Sequence, residues 1–564
     1  MFLPAFVHQA PLASLGSVTM VTETRPALPD LRTMRTLPVI LSLLFASTRL
    51  PAQDIGDRRV VLQEIIIPGM PGIQSFAWGQ HNGEWILIGG RTDGLHRRQP
   101  FAAFLAEDNN TMAYVVNPAT AQVWGTSLAT LPVPLFEQLQ CTNMEFEQRG
   151  NTLYIIGGYG FSPTSNDHIT HGRLTAVDVP AAITAIKTGG PVAPHFRQLA
   201  DARMAVTGGY LGLLNDTFYL VGGQRFTGRY NPMGPEFGPG FVQEYTNAIR
   251  RFTIADDGAT LSLADYVETV DTANLHRRDY NLVPQVFPDG TRGFTAFSGV
   301  FQYGVDLPWL NAVDITPEGC TVVPGFEQLL NQYHTAHLPA WSAAQGSMST
   351  VFFGGIGQYY FDVNGQLWND ENVPFVNTIS RVRRASDGGM SEVAIGSMPA
   401  LLGAGAELIL DPTVPQLDGG ILDIDALGGD TILAGHIVGG ITSSAANIFF
   451  VNTGTQSDAS ARVFRVLLVR DITTGLAAPD DAMPALRAWT GDAEQLVVET
   501  NMSEGGLAEL VLLDSSGRQV RTLLAARVPA GLQRFHSPLK GIAAGRYVVE
   551  LRINGQRWST SYIR

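Results

Sequence analysis

Six short apolar strands that stop at a glycine doublet, or a near copy of one, constrain this chain most. Glu84-Trp85-Ile86-Leu87-Ile88-Gly89-Gly90 is the clearest, followed by runs ending at Gly157-Gly158 and Gly222-Gly223. Weaker copies end at Ser298-Gly299, Gly354-Gly355 and Gly439-Gly440. Recurrence on this scale means one supersecondary unit used repeatedly, since a single unit cannot bury its own apolar face. The doublet itself marks a strand end where the chain turns without a Cβ, often at positive φ, against neighbouring strands.

Each unit has the same order. An apolar strand precedes the doublet strand, and a third follows a variable loop, at 111–117, 174–179, 248–254, 311–315, 378–382 and 447–451. A fourth can be drawn in several units, as at Gln122-Val123-Trp124. Four short antiparallel strands used six times predict an all-β fold, a six-bladed β-propeller over residues 54–470. The strand opening at Arg59-Val60-Val61-Leu62 has no partner of its own and is expected to pair into the last blade, removing an open edge.

The first unit carries Gly89-Gly90, Tyr114 and then Trp124, a pattern that resembles the kelch repeat. Most units lack the Trp, and the fourth has Ser298 in place of the first Gly.

Loop length is concentrated after the doublet strands, at 91–110, 159–172, 224–246 and 356–376. Long loops on one face of a rigid scaffold usually recognise something. Their aromatics, Tyr230, Tyr359, Tyr360 and Trp368 among them, would stack on a glycan or protein partner, or pack small cores under their own loops. The sixth unit places its insertion, 412–428, before its doublet strand and so on the opposite face. Polar residues leading the first strands are expected to ring a central funnel: Asn143, Arg203, Arg278, Asp279, Asn281, His334 and His337. They would bind a ligand or staple neighbouring sheets.

Chemistry is faintly marked. His334 and His337, like His168 and His171, are three apart but lack the helical setting of a zinc pair. Asp362, Asn364 and Asp370 loosely resemble a calcium loop without its spacing. There is no phosphate loop or nucleophile elbow, so neither a cofactor nor a catalytic residue is assigned. A net charge of −14 excludes a nucleic-acid footprint, and two cysteines, Cys141 and Cys320, exclude a disulfide scaffold.

The chain ends speak of export. Met34-Arg35-Thr36, the apolar run 37–46 and a cut after Ala52 or Gln53 read as a signal peptide over 34–53. Residues 1–33 then read as a non-native or disordered extension ahead of Met34. No other run is long enough to span a membrane. Residues 471–487 read as a linker, and 488–564 as a small Ig-like β-sandwich. Leu513-Asp514-Ser515-Ser516-Gly517-Arg518, Val528-Pro529-Ala530-Gly531 and Ala544-Gly545-Arg546-Tyr547, with a strand at the terminus, resemble the type A sorting domain of the type IX secretion system of Bacteroidota. That resemblance implies the export machinery as a partner and a secreted or surface-attached product. The expected function is binding of protein or glycan on the loop face. The alternative is a carbohydrate-active enzyme, mutarotase- or oxidase-like, in the funnel around Arg278, Asp279 and His337.

Overall fold

A computed structural model describes residues 54–564 except 100, 363–364, 471–485, 492–494, 503–505, 515–516, 530 and 554–555. The expectations for 1–33, for the signal peptide at 34–53, for most of the linker and for Asn364 lie outside the described residues. The chain is all-β and divides into two units at Ile472–Thr473. Among the described residues no helix is long and apolar enough to cross a membrane.

Among the described residues the first unit holds six sheets of four to seven strands, I to VI in chain order of their first strands, and a separate two-stranded hairpin; every pairing but one is antiparallel. Those first strands are Ala77–His81, Thr142–Arg149, Tyr210–Leu214, Asn281–Val286, His337–Ser342 and Leu401–Leu410. Each pairs with the doublet strand that follows it. Doublet strands such as Ser347–Ile356 are buried along their whole length, because another sheet lies on each face. That is why they read as continuous apolar runs instead of alternating ones. Outer strands such as Leu261–Val270 are largely exposed.

Third strands form where expected in sheets I to V. Sheet VI differs: residues 447–451 are turn, and the third strand is Val463–Arg470. The Ile-Phe-Phe-Val segment instead packs Ile448 and Phe449 into a loop core. Arg58–Ile65 supplies the fourth strand by pairing with Val463–Arg470, from Arg58↔Arg470 to Ile65↔Val463. The strand near the start of the described chain thus completes the sheet that ends the unit.

Apolar layers join the sheets in sequence. Ile86 and Val115 meet Leu153 and Ile155 between I and II, and Phe218 meets Tyr154 between II and III. Further layers join III to IV, IV to V and V to VI. The last brings Ile409 and Val438 of sheet VI against Trp85 and Leu87 of sheet I.

The glycine doublets fasten each sheet to the next. Gly90 N donates to Cys141 O, Gly158 to Val206, Gly223 to Arg277, Gly299 to Gln332 and Gly440 to Ile73, at 2.7–3.0 Å. In sheet V a Cβ on Gly354 would stand 1.9 Å from Leu402 O. Each acceptor lies just ahead of the next sheet's first strand. Both glycines of every full doublet have positive φ, and Ser298 takes the first position in sheet IV at φ 52°.

Two short helices, Val133–Leu139 and Val179–Thr188, were not legible from the β pattern. They bury Leu139, Ala182 and Ile186 in the layer between I and II. The second unit contains a three-stranded and a four-stranded antiparallel sheet sharing one core, with Leu496 and Val498 meeting Leu510 and Val549. Its first strand, Arg487–Gly491, begins on the last residue of the stretch read as linker.

Gly157→Ala should cost about 3–5 kcal/mol, from left-handed strain plus overpacking, because φ is +64° and the new Cβ would stand 1.9 Å from Val206 O. Gly428→Ala has no atom within 4 Å and should stay within about 0.5 kcal/mol of the parent. Urea unfolding of the two variants makes the comparison.

Candidate functional site

Six residues, four just ahead of the first strands and two, Asn143 and Gly405, early within them, close a ring of backbone hydrogen bonds. Asn143 N donates to Ser75 O, Gly208 to Asn143, Asp279 to Gly208, His334 to Asp279, Gly405 to His334 and Ser75 to Gly405, at 2.7–3.3 Å. All but His334 have positive φ. The ring consumes the backbone of three predicted funnel residues, Asn143, Asp279 and His334, and fixes where their side chains start.

Most of those side chains act between sheets. Asn143 Nδ2 donates to Asp279 Oδ1 at 3.1 Å. Asp279 Oδ2 pairs with Arg278, whose Nε donates to Tyr245 Oη at 3.1 Å and whose guanidinium lies over Phe301. Asn281 joins IV to V, giving Nδ2 to Tyr333 O at 2.9 Å and taking Thr335 N at 3.0 Å. His334 Nε2 lies 3.1 Å from Glu407 Oε1, across from V to VI. Arg203 is not with them. It sits on the outer strand Phe196–Ala205, paired with Asp201 at 2.5 Å and 4.3 Å from the centre of the Tyr266 ring. The reason is local: this outer strand runs to Ala205, just short of the ring residue Gly208, so sequence proximity mimics a leading position.

Residues after the ring line open space. A cavity of about 630 Å³ is bounded by parts of all six first strands, including Trp78, Phe146, Leu211, Leu282, His337 and Leu408. It reaches the exposed hairpin residues Gly150, Asn215 and Asp216, and the sheet VI insertion at Asp418–Ile421. The strand Ile421–Asp423 of that insertion pairs in parallel with His337–Ser342. A second, much smaller cavity of about 30 Å³ adjoins the ring at Asn143, Gly208, Asp279 and His334, and is walled by Glu145, Tyr210 and Glu407. Phe146, Tyr210, Leu211 and Glu407 face both.

The other side of the ring is filled. Leu95, Phe301, Tyr333, Ile356, Ala404 and Phe449 form one apolar cluster from the post-doublet loops and the residues leading sheets V and VI. Phe104, Tyr159, Phe226 and Tyr230 form another. His96 touches both, with its ring 5.6 Å from Phe104, 4.9 Å from Tyr230 and 5.8 Å from Phe449. Tyr230 is therefore core and not rim. Tyr359 and Tyr360 are half-buried in a two-stranded hairpin, and Trp368 is exposed with Nε1 donating to Asp362 Oδ2 at 3.1 Å. Asp370 accepts from Asn372 and Asn447. Among the described residues no group of three or more His, Cys, Asp or Glu is placed to hold a metal ion.

Four channel residues were not anticipated: Glu145, Glu147, Tyr210 and Glu407. They stand two or four positions beyond a ring residue, so counting from the doublet's acceptor would have found them. Burial lifts Glu145 and Glu147 to about 8. Burial works against the His334 imidazolium, but the adjoining Glu407 carboxylate outweighs it and raises the pKa. Burial drops His337 to about 4 while its Nδ1 faces Thr335 O at 3.1 Å. The neutral ring donates there and leaves Nε2 as an acceptor.

No protein-family profile matches the chain, and no curated protein is similar to it. Among the solved structures that align with it is "Structure of YjhT", at 13% identity and a TM-score of 0.40, over 70% of this chain and 99% of that one.

Above the unfolded carboxyl range the folded chain still holds protons on Glu145 and Glu147 that the unfolded chain has released. Their contribution to stability must therefore fall as pH rises from about 5 to 8. Glu145→Gln should flatten that fall and be the more stable form at pH 8, as urea midpoints at pH 5, 6.5 and 8 would register. His337 acts oppositely at lower pH, since the unfolded chain protonates first.

Proposed function

We propose that this chain is a secreted or surface-attached binding protein built on a kelch-like six-bladed β-propeller, with sheets I to VI as blades. Its ligand, a glycan or another small organic molecule, enters the channel from the hairpin face. The carrying observation is the cavity of about 630 Å³ shared by all six first strands. That volume suits a small ligand, and its walls have the usual make-up of apolar and aromatic surface with a few placed polar groups. Trp78 and Phe146 offer ring faces for a sugar, and Gln80, Gln148 and His337 offer hydrogen bonds. Packing of Tyr230 and its neighbours into a loop core moves the reading away from the loop face, where the exposed aromatics, Phe101, Phe237, Tyr303, Phe361, Trp368 and Phe450, are spread over separate loops. Commitment of Arg278, Asp279 and Asn281 to inter-sheet bonds supports binding over funnel catalysis.

Residues 488–564 are read as an Ig-like type IX sorting domain that addresses the product to the export machinery. Support comes from the sequence elements at 513–520 and 542–549, and from the last strand, Gln556–Ile563, at the edge of its sheet.

On a glycan array followed by calorimetry, Trp78→Ala in the full chain should weaken binding by about tenfold or more, while Trp368→Ala leaves it unchanged. The reverse result returns the ligand to the loop face. In a host with type IX machinery the full chain should reach the surface, and a chain ending at Arg470 should be retained in the periplasm.

A further inference from the structure

The small cavity at the ring holds carboxylate oxygens that the protein does not use. Glu145 is 3% exposed, and its Oε1 accepts from Gly209 N at 2.7 Å. Its Oε2 is buried and takes no hydrogen bond from any described residue. Glu407 is 6% exposed. Its Oε2 receives Trp78 Nε1 at 3.4 Å, and its Oε1 stands 3.1 Å from His334 Nε2, an ion-pair contact without a hydrogen bond. Buried acceptors left open in this way are rare and costly, and ask for a missing donor.

Charge leans the same way. Asp279 is matched by Arg278, whereas Glu145 forms no ion pair with any described residue. Phe146 and Tyr210 face both cavities, so anything seated at the carboxylates has aromatic surface beside it. About 30 Å³ accommodates one water-sized group. An ammonium is that size, carries three donors and no acceptor, and is attracted to aromatic faces.

We propose that the channel ligand carries a primary ammonium group, seated in the small cavity between Glu145 and Glu407, with the rest of the molecule lying in the larger cavity beyond Phe146 and Tyr210. This rests on the channel being the ligand site. The groups facing the ammonium are Glu145 from sheet II, Tyr210 from III, Asp279 and Tyr280 from IV, His334 from V and Glu407 from VI. Because burial holds a proton on Glu145 near neutrality, seating the cation expels that proton to solvent.

Calorimetry on the full chain at pH 7.5 tests this with n-hexylamine, 1-hexanol and sodium chloride as probes. The amine should bind at least about tenfold more tightly than the alcohol, and Glu145→Gln and Glu407→Gln should each remove most of that preference. Both variants keep the acceptors used by Gly209 and Trp78, and a single cooperative melting transition without ligand, at a midpoint no lower than the parent's, verifies their folds. The heat of amine binding should differ between phosphate and Tris, reporting proton release. Equal binding of alcohol and amine, an unaltered Glu145→Gln, or saturation by sodium chloride alone would overturn the ammonium assignment. A neutral sugar that binds in a Trp78-dependent way would then leave the channel reading standing. Failure of Trp78→Ala to affect any ligand is the separate result that removes the channel itself.

Discussion

Six backbone hydrogen bonds, each running from the residue that leads one sheet to the residue that leads the one before, hold this molecule to its architecture. No side chain takes part. The bonds close on themselves, Gly405 to His334 and so round to Ser75 and back to Gly405. A closed set cannot be satisfied by five sheets or seven without changing every angle in it. Left-handed backbone at five of the six positions is the local cost, and the pairing of otherwise buried amides and carbonyls offsets it.

The glycine doublets do their work by delivering strands to this ring. A doublet amide takes a carbonyl about two residues ahead of a ring residue: Cys141 before Asn143, Val206 before Gly208, Ile73 before Ser75. A side chain there would strike that carbonyl, as the contacts around Gly157 and Gly354 show. Once the leading residues are fixed, the residues beyond them point into a shared channel whatever their identity. The loops, freed from holding the sheets together, can vary in length. Here they fill the space on their own side of the ring with aromatic side chains, so solvent reaches the channel at the hairpin end.

This division explains what the sequence could show. The doublets were visible because their constraint is on glycine itself, and the place of Arg58–Ile65 in the last sheet followed from an unpartnered apolar strand, although its partner there, Val463–Arg470, did not. The ring was half visible. Asn143, Asp279 and His334 stood out as polar residues, but Ser75, Gly208 and Gly405 hold equivalent places through backbone alone, and nothing in their side chains advertises it. Arg203 stood out for the wrong reason, since an outer strand ends near a leading position. At 447–451 an apolar run looked like a strand, yet Ile448 and Phe449 serve a loop core. Burial decided both outcomes, and burial is a property of the partner surface, which a single strand's pattern does not contain. Glu145 and Glu407 were obscured likewise, because a carboxylate in a strand normally signals an exposed face.

That a scaffold so thorough in pairing its backbone leaves carboxylate oxygens open beside the ring is informative. The same sheets satisfy Arg278 with a carboxylate, a phenol and an aromatic face, and Asn281 on both sides of its amide. Glu145 could be replaced by glutamine or an apolar residue with little loss of packing, because only Oε1 is engaged, by the Gly209 amide. Retaining an acid there lowers stability as pH rises through neutrality, a disadvantage that a purely structural position has no reason to carry. Local rules broken without compensation within the fold tend to lie where the fold meets something else. In this molecule that place is the floor of the channel.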